Sequence, residues 1–289
     1  MVEAKAKEEK GIVLRIFEAY RGLNQNVWYV LFLAMVIIPM VYPLALPIGI
    51  SQYTRDFKAA IDRSKDGGRA LISINYCTGG EGPGLPAMVD TIKYLVTRKQ
   101  MTIVNVGILM PVVGQLAENV FAKVPWDSYG YVYGVDYVNL GFIIGQEAAV
   151  AAIATDFKTV IKQDYRGNPA SALPILDDIY GIDDFDLVVE GTDYSGQLHM
   201  VIRQWPSTPD RPLVTHVFAG TALPFYPGSV DGFVDTAGAG PAEFEVLAGI
   251  PGTAVINSDV ISLSQLFLLI VVLMANISYW IVRSLGGKT

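Results

Sequence analysis

The chain has 289 residues, with 21 Lys and Arg against 28 Asp and Glu and a formal net charge of −7. Residues 51–258 hold 14 of the basic and 23 of the acidic side chains, a surface that repels phosphate backbones and excludes nucleic acid as an expected partner. A single cysteine, Cys77, excludes an intramolecular disulfide and a cysteine-rich zinc site.

Residues 1–26 read as a basic tail carrying Lys5, Lys7, Lys10, Arg15 and Arg21. Within it Ile12, Val13, Ile16, Phe17, Tyr20 and Leu23 recur at helical spacing. This predicts an amphipathic helix over Gly11–Leu23, lying on a membrane surface or against a partner subunit. The 22 residues Val27–Ile48 contain no Asp, Glu, Lys or Arg and open on Trp28 and Tyr29, which predicts a first transmembrane helix over 27–48. It is longer than the apolar core of a signal peptide and no small-x-small cleavage site follows, so a retained anchor is expected. Pro39, Pro43 and Pro47 each remove a backbone donor and predict a kink or break in its outer half.

Residues 49–258 alternate between apolar runs and amphipathic segments. Helices are expected over Ser51–Lys65, Pro86–Lys99, Val112–Val124, Gln146–Gln163, Gly196–Trp205 and Ala242–Ala248. Strands are expected over Ala70–Tyr76, Thr102–Leu109, Tyr131–Val138, Asp186–Glu190, Leu213–Ala219 and Gly232–Asp235. Near-continuous apolar strands alternating with helices predict an α/β fold: a Rossmann-like three-layer domain with a mainly parallel sheet, inserted between two transmembrane helices.

The second of these is predicted over 259–283, from the 23 uncharged residues Val260–Val282, ending on Tyr279 and Trp280 before a short tail, 284–289. Arg283 and Lys288 follow it, and no Lys or Arg lies within twenty residues before it. An integral membrane protein with two spans is expected, its tails cytoplasmic and the central domain on the other side. Ser262, Gln265 and Asn276 fall on one stripe of this helix, and polar side chains in hydrocarbon seek partners. Either the first span or another subunit, in a homo-oligomer or with other membrane proteins, would supply them.

Two loops share the pattern Thr-small-Gly-x-Gly-Pro-small. The first runs Thr78-Gly79-Gly80-Glu81-Gly82-Pro83-Gly84 and the second Thr236-Ala237-Gly238-Ala239-Gly240-Pro241-Ala242. Each stands between a strand and a helix, where backbone N–H groups can gather around a ligand. Thr78, Gly79, Gly80, Gly82, Thr236, Gly238 and Gly240 are therefore candidate ligand-binding residues. No phosphate-loop lysine accompanies them, and a tight strand-to-helix turn needs glycine on its own account. Glu81, Asp193 and Asp235, with Glu147 and Glu190 nearby, suit a hard divalent metal. They suit equally the solvated loops and helix starts where acids are common. Cys77 follows the first strand as a nucleophile could, yet only His199 and His216 exist to activate it, and free cysteines are more often buried and inert. Ser195 lacks the elbow of a serine hydrolase. The acids Asp177, Asp178, Asp183, Asp184 and Asp186 read as a solvated rim, and Tyr129, Tyr131 and Tyr133 as one face of a strand beside Trp126.

These features predict a membrane-anchored, non-catalytic subunit or scaffold, with no cofactor expected. The alternatives are a ligand-binding or sensory domain using the two Gly-Pro loops, and a membrane-surface enzyme using Cys77 or the acidic edge.

Overall fold

The computed structural model describes residues 11–12, 15–17, 19–20, 22–77, 81–250 and 252–284. The chain divides into two compact units, Pro47–Val255 and the pair of segments Met1–Leu46 and Ile256–Thr289.

The larger unit is built on six strands: β1 (Arg69–Asn75), β2 (Thr102–Gly107), β3 (Tyr137–Phe142), β4 (Leu187–Thr192), β5 (Leu213–Val217) and β6 (Gly232–Asp235). They lie in the order β3-β2-β1-β4-β5-β6 and every neighbouring pair is parallel, the arrangement of a doubly wound Rossmann-like α/β fold. Helices cover both faces, which is why the strands read as apolar runs rather than alternating patterns. On one face Ile72, Ile74, Ile103 and Val189 pack against Phe57 and Ile61 of α2 (Gln52–Arg63), Met88 and Ile92 of α3 (Glu81–Tyr94), Leu116 of α4 (Val113–Phe121) and Phe244 of α9 (Gly240–Ala248). On the other, Leu71, Val104 and Val188 meet Val150 and Ile153 of α5 (Glu147–Thr155), Phe157 of α6 (Phe157–Val160), and Leu198, Val201 and Trp205 at α7 (Ser195–Gln204). A short α8 (Ala219–Ala222) follows β5.

Two expected elements come out differently. The tyrosine-rich run does not start a strand at Tyr131. Gly134 turns with φ +80°, Asp136 accepts the Val132 N–H at 2.8 Å, and pairing begins only at Tyr137. The helix expected over Gln146–Gln163 breaks at Asp156, where φ is −148°. The Asp156 carboxylate then caps the short α6 by accepting the Thr159 N–H at 3.3 Å.

The smaller unit holds the long α10 (Ala254–Ser284) and the 17-residue α1 (Gln25–Val41). Of these, α10 alone is long and apolar enough to cross a membrane; one helix of this kind is present among the described residues, not the expected two. The first expected span stops at Val41 because Pro43 bars Tyr42 from helical backbone and lacks the N–H that would continue the ladder. At about 1.5 Å per residue, α1 is shorter than a hydrocarbon core. Residues beyond it run irregularly, with Ala45 at φ +48°. There Asp259 of α10, only 1% exposed, accepts three successive amides: Leu44 and Ala45 at 2.9 Å and Leu46 at 3.0 Å. The two helices also meet through Trp28 and Phe32 against Phe267, and Tyr20, ahead of α1, donates its hydroxyl to the Val271 carbonyl at 3.2 Å. Of the expected Gly11–Leu23 helix, residues 11, 12, 15–17, 19 and 20 are helical. Residues 1–10 and 285–289 lie outside the described residues.

Replacing Asp259 by Leu strands three amides, at a cost of about 1–3 kcal/mol for each one left unsatisfied. The expected result is a lowered Tm in detergent and new protease cleavage between residues 43 and 50. Asp259→Asn, which keeps one acceptor oxygen, should fall between. A wild-type Tm for the Leu variant would show that the three bonds do not hold this segment.

Candidate functional site at the carboxyl edge of the sheet

The strand order reverses direction between β1 and β4, so the loops that follow these two strands flank the crevice where doubly wound folds bind ligands. Cys77 and Asp193 stand on either side, and the Asp193 carboxylate accepts the Cys77 N–H at 2.9 Å. Burial first, then the charge and hydrogen bonding of Asp193, push the Cys77 thiol above its ordinary range. That favours the thiol over the nucleophilic thiolate. Neither histidine is arranged as its base. The fully buried His216 has Nε2 2.9 Å from the Thr91 hydroxyl and is pushed down to about 3 by desolvation, while His199 packs edge-on against Phe225.

Beneath the crevice lies a polar cluster that the sequence reading missed in part. Asn75, at the end of β1, accepts the amides of Ile108 and Leu109 at 2.8 and 3.1 Å. Its own amide donates to the Ser73 hydroxyl at 2.6 Å and to Glu190 Oε1 at 3.2 Å. Glu190, expected among the acids of the edge, is instead inside β4 with no exposed surface. Desolvation drives its carboxyl up to about 8, more than hydrogen bonding by Ser73, Asn75 and Gln197 draws it down. Its Oε2 and the Gln197 Nε2 are both buried atoms lacking a hydrogen-bond partner among the described residues. Burial thereby favours the neutral form of Glu190.

The second Gly-Pro loop closes on itself. Asp235 Oδ1 accepts the amides of Ala219 at 3.0 Å and Ala237 at 3.1 Å, and Thr236 is buried. A Cβ on Gly240 would lie 2.5 Å from the Asp235 nitrogen, and one on Gly238 would lie 2.9 Å from the Asp235 carboxylate. The turn thus demands glycine for its own packing at both positions. In the first loop, Gly82 is exposed at the start of α3; Thr78, Gly79, Gly80 and the Glu81 side chain lie outside the described residues. The loops follow β1 and β6, which stand three strand spacings or about 14 Å apart in the sheet. Asp193 and Asp235 are likewise separate, each engaged with backbone amides. Among the described residues no group of three or more His, Cys, Asp or Glu could hold a metal ion.

At the opposite end of the sheet an open cleft of about 460 Å³ is lined by Trp126, Tyr137, Glu118 and Arg166. Trp126 stacks on Tyr137 at 3.9 Å, and Arg166 lies 3.6 Å over the Tyr133 ring while pairing with Glu118. Most of the tyrosine patch is thereby committed to packing.

In the smaller unit Phe267 packs on α1, Val271 meets Tyr20 ahead of it, and Ser278 and Val282 are buried, whereas Ser262, Gln265 and Asn276 are exposed on another face of α10. Asn276 donates to the Val272 carbonyl of its own helix at 2.8 Å. Ser262 and Gln265 make no side-chain hydrogen bond with another described residue, so α1 does not serve as the stripe's partner. No protein family matches the chain, and no curated protein matches it either.

Two outcomes follow from these environments. The protonated Glu190 contributes stability in full below its unfolded value near 4.5, and that contribution is lost as pH rises through about 8. Glu190→Gln should remove a slope of up to about 1.4 kcal/mol per pH unit. Thermal unfolding of variant and parent from pH 5 to 9 should therefore diverge toward high pH, with the variant more stable. Parallel curves would mean that Glu190 is charged in the native state. Cys77 should react with iodoacetamide at pH 7.5 more slowly than a small free thiol; faster alkylation would reveal an activated thiolate.

Proposed function

We propose that the protein is a membrane-anchored, non-catalytic Rossmann-like subunit of a larger membrane assembly, α10 serving as anchor and contact helix. The observation that carries this reading is the exposed polar stripe on α10. Gln265 stands mid-helix among apolar neighbours, faces away from α1, and has no side-chain partner among the described residues. In hydrocarbon such a group favours a second helix that can hydrogen-bond to it, by about 0.6–2 kcal/mol. The carboxyl edge of the α/β unit agrees with a structural role. Asp193 and Asp235 hold loops, Cys77 is biased to the thiol, and the closed second loop turns its amides inward.

Native mass spectrometry of the protein, extracted gently from its own membrane, tests the proposal. Additional copies or other subunits should remain attached, and the double variant Gln265→Leu, Asn276→Leu should shed them while retaining the parent's circular dichroism. A lone chain in both cases would refute the assembly role. A lone chain carrying a small extra mass would turn attention to the first Gly-Pro loop and a ligand-binding function.

A further inference from the structure

The turn that joins α9 to α10 is held by one acid. Gly249 closes α9 in the left-handed region, with φ +63°, and the Ile250 N–H donates to the Glu245 carbonyl at 3.1 Å. The Glu245 side chain then reaches across the turn. Its Oε1 accepts the Ala254 N–H at 2.7 Å and its Oε2 the Val255 N–H at 2.8 Å. These are first-turn amides of α10, which have no acceptor within their own helix. Glu245 is only 2% exposed, so the contact is closed to solvent.

A second buried acid stands against it. Asp90 of α3 is 3% exposed. A Cβ on Gly252 would collide with Glu245 Oε1 and lie 3.0 Å from Asp90 Oδ1, so both carboxyls converge on that one glycine. Both Glu245 oxygens already accept N–H groups, so a hydrogen bond between the two carboxyls takes its proton from Asp90. Burial first, then the hydrogen bonding and charge of Glu245, push the Asp90 carboxyl up to about 7. Lys93, whose Nζ lies 3.6 Å away on the same helix, pulls it down by less. The other titratable groups around α3 are engaged elsewhere. On α2, Lys58 lies over the Tyr94 ring and Asp62 accepts from its hydroxyl; on α9, Glu243 accepts from Ser51; on α4, Glu118 pairs with Arg166. In the sheet, His216 meets Thr91 and Glu190 meets Asn75, and the first turn of α10 carries no acid.

We propose that Asp90 and Glu245 form a pH-sensitive latch on the start of α10, in which the proton they share keeps Glu245 on the Ala254 and Val255 amides and its loss frees them. With the proton gone, two like charges stand together where burial keeps water from screening them, and Lys93 can neutralise only one. The repulsion is relieved where the chain yields most easily. The turn is exposed at Gly249 and Thr253, whereas Asp90 is fixed within α3. Opening the turn moves Glu245 away and leaves the two amides to solvent, with the sheet untouched. Because the native fold raises the Asp90 carboxyl above its unfolded value, the latch is closed at low pH and opens as pH rises through about 7. The device lies wholly within Pro47–Val255 and does not depend on the assembly role.

The latch is tested by hydrogen exchange of the full chain in detergent, read by mass spectrometry from pH 5.5 to 8.5 and corrected for the intrinsic rate at each pH. Peptides covering residues 252–256 should lose protection above pH 7, by up to about tenfold per pH unit, while peptides from α5 and β1 keep theirs. Asp90→Asn, which retains a neutral donor, should keep 252–256 protected across the whole range. Constant protection in the parent, or the same loss in Asp90→Asn, would overturn the latch. So would a loss shared by α5 and β1, the mark of general loosening. The loss should persist in Glu190→Gln, which removes the other buried acid that titrates in this range. Its disappearance there would assign the effect to Glu190 and overturn the latch, a comparison that stands even if circular dichroism shows Asp90→Asn to be unfolded.

Discussion

The fold turns on the amide of Asn75. At the point where β2 and β4 part from the end of β1, the amides of Ile108 and Leu109 run past the ladder and would be buried without partners. Asn75 accepts both through one oxygen, and its nitrogen reaches Ser73 and Glu190. One neutral side chain thus joins the central strand to both of its neighbours at the place where the strand order reverses. A carboxylate could accept from the amides but could not donate to Glu190, and an apolar residue would leave polar groups orphaned in a region closed to water. Burial shifts Glu190 toward its protonated form, which limits the charge the interior must accommodate.

The same economy of charge extends to the carboxyl edge. Asp193 and Asp235 sit where a catalytic acid or metal ligand would be sought in an α/β fold, and each is held by backbone N–H groups of neighbouring loops. Their negative charge compensates backbone dipoles instead of facing outward. This use of the two acids links the closed second Gly-Pro loop and the unactivated Cys77.

The sheet was legible because its signals are local. Runs such as Ala70–Tyr76 and Gly232–Asp235 are apolar, short and bounded by turn residues, and they fall within a residue or two of the observed strands. The misses have particular causes. Tyrosine favours strands, but Gly134 and the Asp136 carboxylate impose a turn before pairing begins. Glu190 looked like an edge acid because acids are seldom buried, and it is held by Asn75, 115 residues away in sequence. Nothing in the composition of the Gly-Pro loops distinguishes amides aimed at a ligand from amides aimed at Asp235; only the position of that carboxylate decides it. The polar stripe on α10 could be read from an 11-residue spacing, whereas the face it occupies depended on where Phe267 meets α1.

Asp259 ties the beginning of the chain to its end. Its partner Leu44 precedes it by 215 residues, so on the ribosome the segment after α1 must wait for almost the whole protein before its amides find their acceptor. Until then Pro43 and Pro47 keep that segment out of a helix, and its free amides need water or a chaperone around them. Completion of the helical unit therefore comes late, after the central α/β unit has been synthesised. A chain truncated before Asp259 would lose more than its last helix: its first would be left with an unfinished end.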